Sequence, residues 1–317
     1  MPTPQLSVIV PMYNEEEVIA VTHERLTKVL ESITKDWEIV YVNDGSRDRT
    51  MEIVSPWARE DARVRLCDFA RNFGHQAAVS CGLEYARGQA IVIIDADLQD
   101  PPELIPQMVK HWQEGLDVVY GKRAERKGET AFKKLTASVF YKMMHFMTEG
   151  IVPKDTGDFR LIDRKVRDTL VAMPEHSRFL RGMTAWVGFR QMPLEYVREA
   201  RFAGTTKYPL KKMLKLAADG VFSFSFKPLK LIRSFGLLFV AGAAVWMIIA
   251  AILGNTTSFY LQLVPCLTLL CTGLILAAMG LTGEYIGRIF EESKARPNFI
   301  VRTGPEENHK GEQARNI

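Results

Sequence analysis

Ile91-Val92-Ile93-Ile94-Asp95-Ala96-Asp97-Leu98-Gln99-Asp100-Pro101-Pro102 is the stretch from which the architecture reads outward. A run of β-branched residues too short to cross a membrane, ending in carboxylates, describes a strand buried on both faces as it leaves a parallel sheet. Asp95 and Asp97 then stand at the carboxyl edge, beyond which open α/β sheets bind ligands. Two carboxylates two residues apart can reach one hard divalent cation once the strand loses regularity. The same residues also describe an ordinary strand followed by an acidic turn. Pro101-Pro102 ends the strand and opens a helix at Glu103.

Upstream, the same grammar repeats. Residues 6–11 form a short apolar strand, followed by Met12-Tyr13-Asn14-Glu15-Glu16 and a helix through about Ile33. Residues 37–42 are a second strand, with Asn43-Asp44-Gly45-Ser46 as its turn and Ser46 or Asp48 available to cap the next helix. Residues 64–69 are a third strand, and Ala70-Arg71-Asn72-Phe73-Gly74-His75-Gln76 leads into a helix over 77–86. Downstream, a helix over 103–114 precedes a fifth strand at 117–121. This alternation implies right-handed crossovers and a mainly parallel sheet. No Gly-x-Gly-x-x-Gly follows the first strand and no Gly-Lys-Ser/Thr loop occurs, which argues against dinucleotide oxidoreductases and P-loop phosphotransferases.

The totals exclude other classes. A net charge of +4 is too small to argue for nucleic acid. Cys67, Cys81, Cys266 and Cys271 show no Cys-x-x-Cys spacing and no clustering with histidine, so buried reduced thiols are expected, as in a cytoplasmic catalytic part. The N-terminus lacks a basic segment followed by a long apolar core, so no cleaved signal peptide is expected. Past Lys122 a basic segment (Arg123, Arg126, Lys127, Lys133, Lys134) runs into an amphipathic stretch over 132–147. Asp155-Thr156-Gly157-Asp158-Phe159-Arg160-Leu161 reads as a polar loop before another helix, residues 192–197 as a late strand, and Arg201 to Tyr208 as two cations around a flexible glycine.

The final third changes character. Over 210–233, Lys211, Lys212, Lys215, Lys227, Lys230 and Arg233 face Asp219 alone and interleave with Phe222, Phe224 and Phe226, a pattern suited to a headgroup layer. Residues 235–253 carry no charge, enough helix to span roughly 28 Å, and residues 259–283 are a second uncharged run. The expected organisation is a catalytic domain at 1–209, an amphipathic segment at 210–233, membrane helices at 234–254 and 259–283 forming a hairpin, and a cytoplasmic tail at 284–317. Basic residues before the first run and after the second place both ends, and the catalytic domain, in the cytoplasm. Glu284 and Arg288 are spaced as an ion pair, and Gly283 and Gly287 for close helix approach.

Taken together, residues 7–15, Val42-Asn43-Asp44-Gly45-Ser46, Arg71-Asn72-Phe73-Gly74 and residues 95–102 resemble the inverting family 2 glycosyltransferases of GT-A fold. The resemblance continues through 201–208, and Gly283-Glu284-Tyr285-Ile286-Gly287-Arg288 is similar to the polyprenyl-phosphate branch, which includes bactoprenol glucosyltransferases, undecaprenyl-phosphate aminoarabinose transferase and dolichol-phosphate mannose synthase. Asn43 departs from the pattern, since many relatives carry a second acidic residue there; the missing Gln-x-x-Arg-Trp argues against processive synthases.

The resemblance implies that Pro11, Tyr13, Glu15 and Asp44 hold the base and ribose of a nucleotide sugar. It implies that Asp95, Asp97 and Gln99 organise Mg²⁺ or Mn²⁺ against the diphosphate, that Arg201 and Lys207 contact the same phosphates, and that Arg123 and Lys134 receive a lipid phosphate. Asp97, Asp158 and Arg123 are the expected catalytic set, with Asp158 either a base or a sugar-positioning group. The implied reaction is inverting hexose transfer, from UDP-glucose first among donors, to undecaprenyl or another polyprenyl phosphate at the bacterial inner membrane. A homo-oligomer, with a tetramer as one size, and a partner flippase are also expected. The alternatives are a non-catalytic sugar-nucleotide-binding scaffold and transfer to another lipid.

Overall fold

The computed structural model describes residues 4–123, 156–197, 225–253 and 257–305. Strands β1 (Leu6–Met12), β2 (Trp37–Asn43), β3 (Val64–Phe69) and β4 (Ala90–Ile93) alternate with helices α1 (Ile19–Ile33), α2 (Thr50–Glu60) and α3 (His75–Tyr85). A 3-10 turn at Pro102–Leu104 leads into α4 (Ile105–Gln113), and then come β5 (Val118–Arg123), β6 (Thr156–Asp163), α5 (Arg164–Ala172), α6 (Leu180–Trp186) and β7 (Gln191–Tyr196). Two long helices, α7 (Lys227–Leu253) and α8 (Thr257–Ser293), precede a last short strand, β8 (Val301–Thr303).

All of these strands share one sheet in the order β7-β5-β6-β4-β1-β2-β3-β8. β1 is parallel to both β2 and β4, β2 to β3, and β5 to β7, while β6 and β8 run antiparallel to their neighbours. The sheet is thus mixed and mostly parallel. Leu6, Val8, Val10 and Met12 pack with α1, α2 and α4 on one face. Ile9, Ile91 and Ile93 pack with α3, α5 and α6 on the other. Burial on both faces explains why β1 and β4 read as continuous apolar runs. The chain passes from β1 outward to β2 and β3, then returns to place β4 on the other side of β1. Strand order reverses there, and a crevice opens at the carboxyl ends.

Three sequence expectations are corrected. Residues 156–163 are a central strand rather than a loop, since β6 lies between β4 and β5. Its polar residues are satisfied inside: the Arg160 guanidinium donates to the carbonyls of Gly157 (2.9 Å) and Asp158 (3.2 Å). The segment after the long helices does not simply trail away, because β8 pairs with β3 and Phe299 stacks on Phe69 at 5.2 Å between ring centres. Cys67 and Cys81 are buried free thiols as expected, whereas Cys271 on α8 is exposed.

The first long helix begins at Lys227 and runs without a break into the apolar run, so 227–233 is one element with 234–253; residues 210–224 lie outside the described residues. Among the described residues one stretch, Leu270–Ser293, is long and apolar enough to cross a bilayer, and it is not buried against the protein. The Glu284–Arg288 ion pair forms at 3.3 Å.

At the opposite, amino edge of the sheet a buried polar network fixes the strand starts. Glu38 accepts from Ser7 Oγ (2.6 Å), from the backbone of Arg87 (2.6 Å) and from Arg65 Nη1 (3.5 Å), and the charged side chains are 5% and 6% exposed. Removing one partner strands a buried charge. Glu38→Ala is therefore expected to cost about 3–5 kcal/mol of stability, read as a lower Tm in thermal denaturation, without the site at the other edge being touched.

Candidate active site

Four loops converge at the carboxyl edge. The β1–α1 loop is held to the β2–α2 loop by Asn14 N–H on Ser46 Oγ (3.0 Å), Glu15 N–H on Thr50 Oγ1 (2.8 Å) and Arg47 N–H on Asn14 Oδ1 (2.8 Å). Asn14 turns this corner with φ of 55°, a conformation that asparagine tolerates better than most residues. Ser46 therefore crosses to the first loop, while Asp48, one residue before the N-cap Arg49, accepts from the Thr50 N–H that opens α2 (3.0 Å). Pro11 is buried in β1, and Tyr13 and Glu15 lie half-buried on this loop.

Asp44 is almost fully buried, and its carboxylate binds the next loop. It accepts from Phe73 N–H (2.6 Å), from Gly74 N–H (3.0 and 3.1 Å) and from Asn72 Nδ2 (2.8 Å). Burial pushes its pKa up against the pull of these amides. Gly45, with φ of 70°, lies so close to the Arg71–Asn72 backbone that an added Cβ would come within 2.7 Å. Asn43 bridges β2 to β3 by donating to Asp68 Oδ1 (2.7 Å) and accepts from Ser46 N–H (3.1 Å). The Asn-Asp-Gly-Ser and Arg-Asn-Phe-Gly motifs are therefore two halves of one hydrogen-bonded corner.

That corner delivers His75, the first residue of α3, into the crevice. Its Nε2 lies 3.2 Å from Asp158 Oδ2 and 3.6 Å from Asp95 Oδ1. Arg181, at the start of α6, reaches Asp158 Oδ1 at 3.3 Å. Sequence reasoning assigned no role to His75 or Arg181; the position of His75 directly after a glycine, at a helix start, was the available signal. Burial alone would depress the imidazole, but Asp95 and Asp158 outweigh it and its pKa is pushed up to about 9. Asp158 is held well below the carboxylate range, since Arg181, His75 and Arg160 overcome the effect of burial. Asp95 goes the other way: burial, then the nearby charges of Asp158, Asp100 and Asp97, raise it to about 6 despite His75.

Beyond β4 the side chains alternate. Asp95, Asp97 and Gln99 are partly exposed, while Ala96, Leu98 and Asp100 are buried. Asp97 Oδ1 accepts from Gln99 N–H (3.2 Å), and Leu98 turns with φ of 55°. Asp100 accepts from the Tyr196 hydroxyl at the end of β7. Arg123, at the end of β5, bonds to the same hydroxyl and lies over Gly157, where a Cβ would meet its Nη2 at 2.9 Å. The structure thus brings Asp95, Asp97, Gln99, Asp158 and Arg123 to one edge. Lys134, Arg201 and Lys207 lie outside the described residues.

Among the described residues, no group of three or more His, Cys, Asp or Glu side chains is placed to form a metal site. The donor set suits an open one. Asp95 and Asp97 are partly exposed carboxylates at the crevice, and Mg²⁺ or Mn²⁺ bound by one or two carboxylates commonly completes its shell with water and substrate phosphates.

Residues 7–171, from β1 into α5, match the family model described as Glycosyl transferase family 2. The chain belongs to that family. Relatives extend the match along nearly the whole chain. It is 50% identical over 301 residues to "Uncharacterized glycosyltransferase YkcC" of Bacillus subtilis (strain 168), covering 94% of this chain and 93% of the relative. It is 39% identical to the bactoprenol glucosyl transferase of Shigella phage SfV, covering 94% and 98%, and 39% identical to a prophage bactoprenol glucosyl transferase homolog of Escherichia coli (strain K12), again covering 94% and 98%. Among solved structures, glucosyl-3-phosphoglycerate synthase from Mycobacterium tuberculosis, in complex with Mn²⁺, UDP and phosphoglyceric acid, aligns with a TM-score of 0.52 at 18% identity, over 69% of this chain and 76% of that one. At that identity the likeness speaks for the GT-A type of fold. The protein is a glycosyltransferase, and the edge described above is its candidate active site.

Proposed function

We propose that this family 2 glycosyltransferase moves a hexose, from UDP-glucose as the leading donor, to undecaprenyl or another polyprenyl phosphate at the cytoplasmic membrane face, with inversion at the anomeric carbon. The observation that carries the reading is where the long helices attach. β8, which follows α8, pairs with the carboxyl end of β3, and Ala70 N–H donates to Ile300 O (3.0 Å) at the same edge as Asp95 and Asp158. A chain that leaves the domain before α7 and returns to the sheet after α8 must cross a bilayer an even number of times. A hairpin of α7 and α8 satisfies this, and sets the active edge at headgroup height. The relatives named for bactoprenol transfer support a lipid acceptor. Such an acceptor stays in the bilayer, because each buried methylene contributes about 0.8 kcal/mol, so the enzyme works at the surface.

Asp95, Asp97 and Gln99 would hold Mg²⁺ or Mn²⁺, which supplies a positive charge beside the diphosphate as that group departs. Pro11, Tyr13 and Glu15 would line the nucleoside pocket, with Asp44 acting through the loop it holds. Arg201 and Lys207 are assigned to the diphosphate, and Arg123 and Lys134 to the acceptor phosphate. A phosphomonoester with second pKa of about 6 is largely dianionic at neutral pH and attacks without a base. Asp158, kept ionised by Arg181 and His75, then has the character of an acceptor for a sugar hydroxyl.

The test is transfer of radiolabelled hexose to undecaprenyl phosphate by the purified full-length protein, across a panel of nucleotide sugars, with and without Mn²⁺. Transfer to diacylglycerol but not to the polyprenyl phosphate would overturn the acceptor assignment. Arg123→Ala is expected to raise the lipid KM about tenfold or more, as loss of one charge-assisted contact of about 1.5–3 kcal/mol implies, with the donor KM little changed.

A further inference from the structure

We propose that Glu292, in the last turn of α8, is a positioning residue for sugar transfer: it grips the loop that leads into α6 and Arg181 and so orients Asp158. The inference rests on the role given to Asp158 above, but Glu292 lies outside every motif in the chain. Both of its carboxylate oxygens accept from His176 N–H (2.9 Å each), and Oε1 also accepts from Ser177 N–H (3.2 Å). Two consecutive backbone amides converging on one anion form a nest, a geometry suited to holding a carboxylate. On its other flank the loop is tied to α5, where Arg178 Nη2 donates to the carbonyls of Leu170 (3.0 Å) and Met173 (2.6 Å).

The loop then runs directly into the active edge. Leu180 N–H donates to Gln76 Oε1 (3.0 Å), beside His75, and the next residue is Arg181, on Asp158. A shift of the loop at residues 176–177 therefore moves the guanidinium that holds Asp158. Glu292 sits at the end of Leu270–Ser293, the stretch apolar enough to cross a bilayer, so the seating of that helix and the geometry of the carboxylate are linked by one strap of chain. Because Glu292 is exposed, its contacts belong to the loop and not to the core. Glu291, on the same turn, pairs with Lys294 instead (2.6 Å) and provides a control of equal charge.

Full-length protein in detergent with undecaprenyl phosphate would be compared as wild type, Glu292→Ala, Glu292→Gln and Glu291→Ala. Glu292→Ala is expected to lower kcat about tenfold, as small misplacements of reacting groups do, with donor KM and Tm unchanged. Glu292→Gln, which keeps an acceptor oxygen, restores most of the turnover, and Glu291→Ala matches wild type. Added to Arg181→Lys, Glu292→Ala lowers kcat no further, because the two act along one path. Hydrogen exchange supplies a readout independent of the acceptor: Glu292→Ala speeds exchange across 174–181 and Glu291→Ala does not. Unchanged exchange there, wild-type turnover in Glu292→Ala, or additive losses in the double variant each overturn the inference. Wild-type protein that transfers nothing to undecaprenyl phosphate, but shows the exchange difference, overturns the acceptor assignment and leaves this one standing.

Discussion

Asp97→Ala is expected to reduce sugar transfer by at least about 1000-fold, equivalent to about 4 kcal/mol of barrier, while the protein keeps its wild-type Tm. The wild-type Tm is expected because Asp97 is partly exposed at the rim of the crevice, where its carboxylate accepts from Gln99 N–H two residues on. Loss of activity follows from the chemistry of the departing group. Negative charge grows on the diphosphate as the glycosidic bond breaks, and stabilisation of that charge is commonly the largest single contribution an active site makes. Asp95 is a less clean probe, since its carboxylate also faces His75 at 3.6 Å. Transfer assays, with Mn²⁺ binding followed by electron paramagnetic resonance, check the prediction. Near-normal turnover in Asp97→Ala would contradict the metal assignment.

Asp158→Asn carries the second large effect, a fall in kcat of about 100-fold. The amide keeps the shape and can still accept a hydrogen bond, but it removes the charge on which Arg181 and His75 converge. Those two cations hold the carboxyl well below its ordinary range, so it is ionised at neutral pH. A carboxylate so stabilised is a poor proton acceptor. Orientation of a sugar hydroxyl therefore explains it better than general-base catalysis, an alternative that the residues alone leave open. The distinguishing measurement is the pH profile of kcat. A positioning role predicts that Asp158→Asn lowers the curve without changing its shape, together with weaker discrimination among donor hexoses. Loss of a titration limb in the variant would restore the base.

Much of this was legible in local patterns. Short apolar runs, rich in β-branched residues in β1, β2 and β4, mark the first four strands to within a residue or two, and the motifs at their ends mark the crevice. β6 reads as a loop in sequence because Gly157, Asp158 and Arg160 are loop chemistry, and only pairing with β4 and β5 makes them a strand. Arg160 is tolerable in a buried strand because two carbonyls receive its guanidinium. β8 was invisible for a different reason. Three residues pairing with β3 across more than two hundred positions leave no periodic trace.

Alternation of apolar residues and the carboxylates that end them depend on near neighbours in the chain, so the α/β architecture, the edge bearing Asp95 and Asp97 and the apolar final third are all written in the order of residues. Distances between remote segments are not. His75 and Asp158 stand 83 residues apart and meet at 3.2 Å, and Glu292 reaches His176 across 116. Such meetings follow from strand order and helix packing, in which many weak contacts jointly choose one arrangement. The ionisation of Asp158, the hydrogen bonds by which Asp44 holds the next loop and the contact of Glu292 with the 176–177 backbone are products of that arrangement alone.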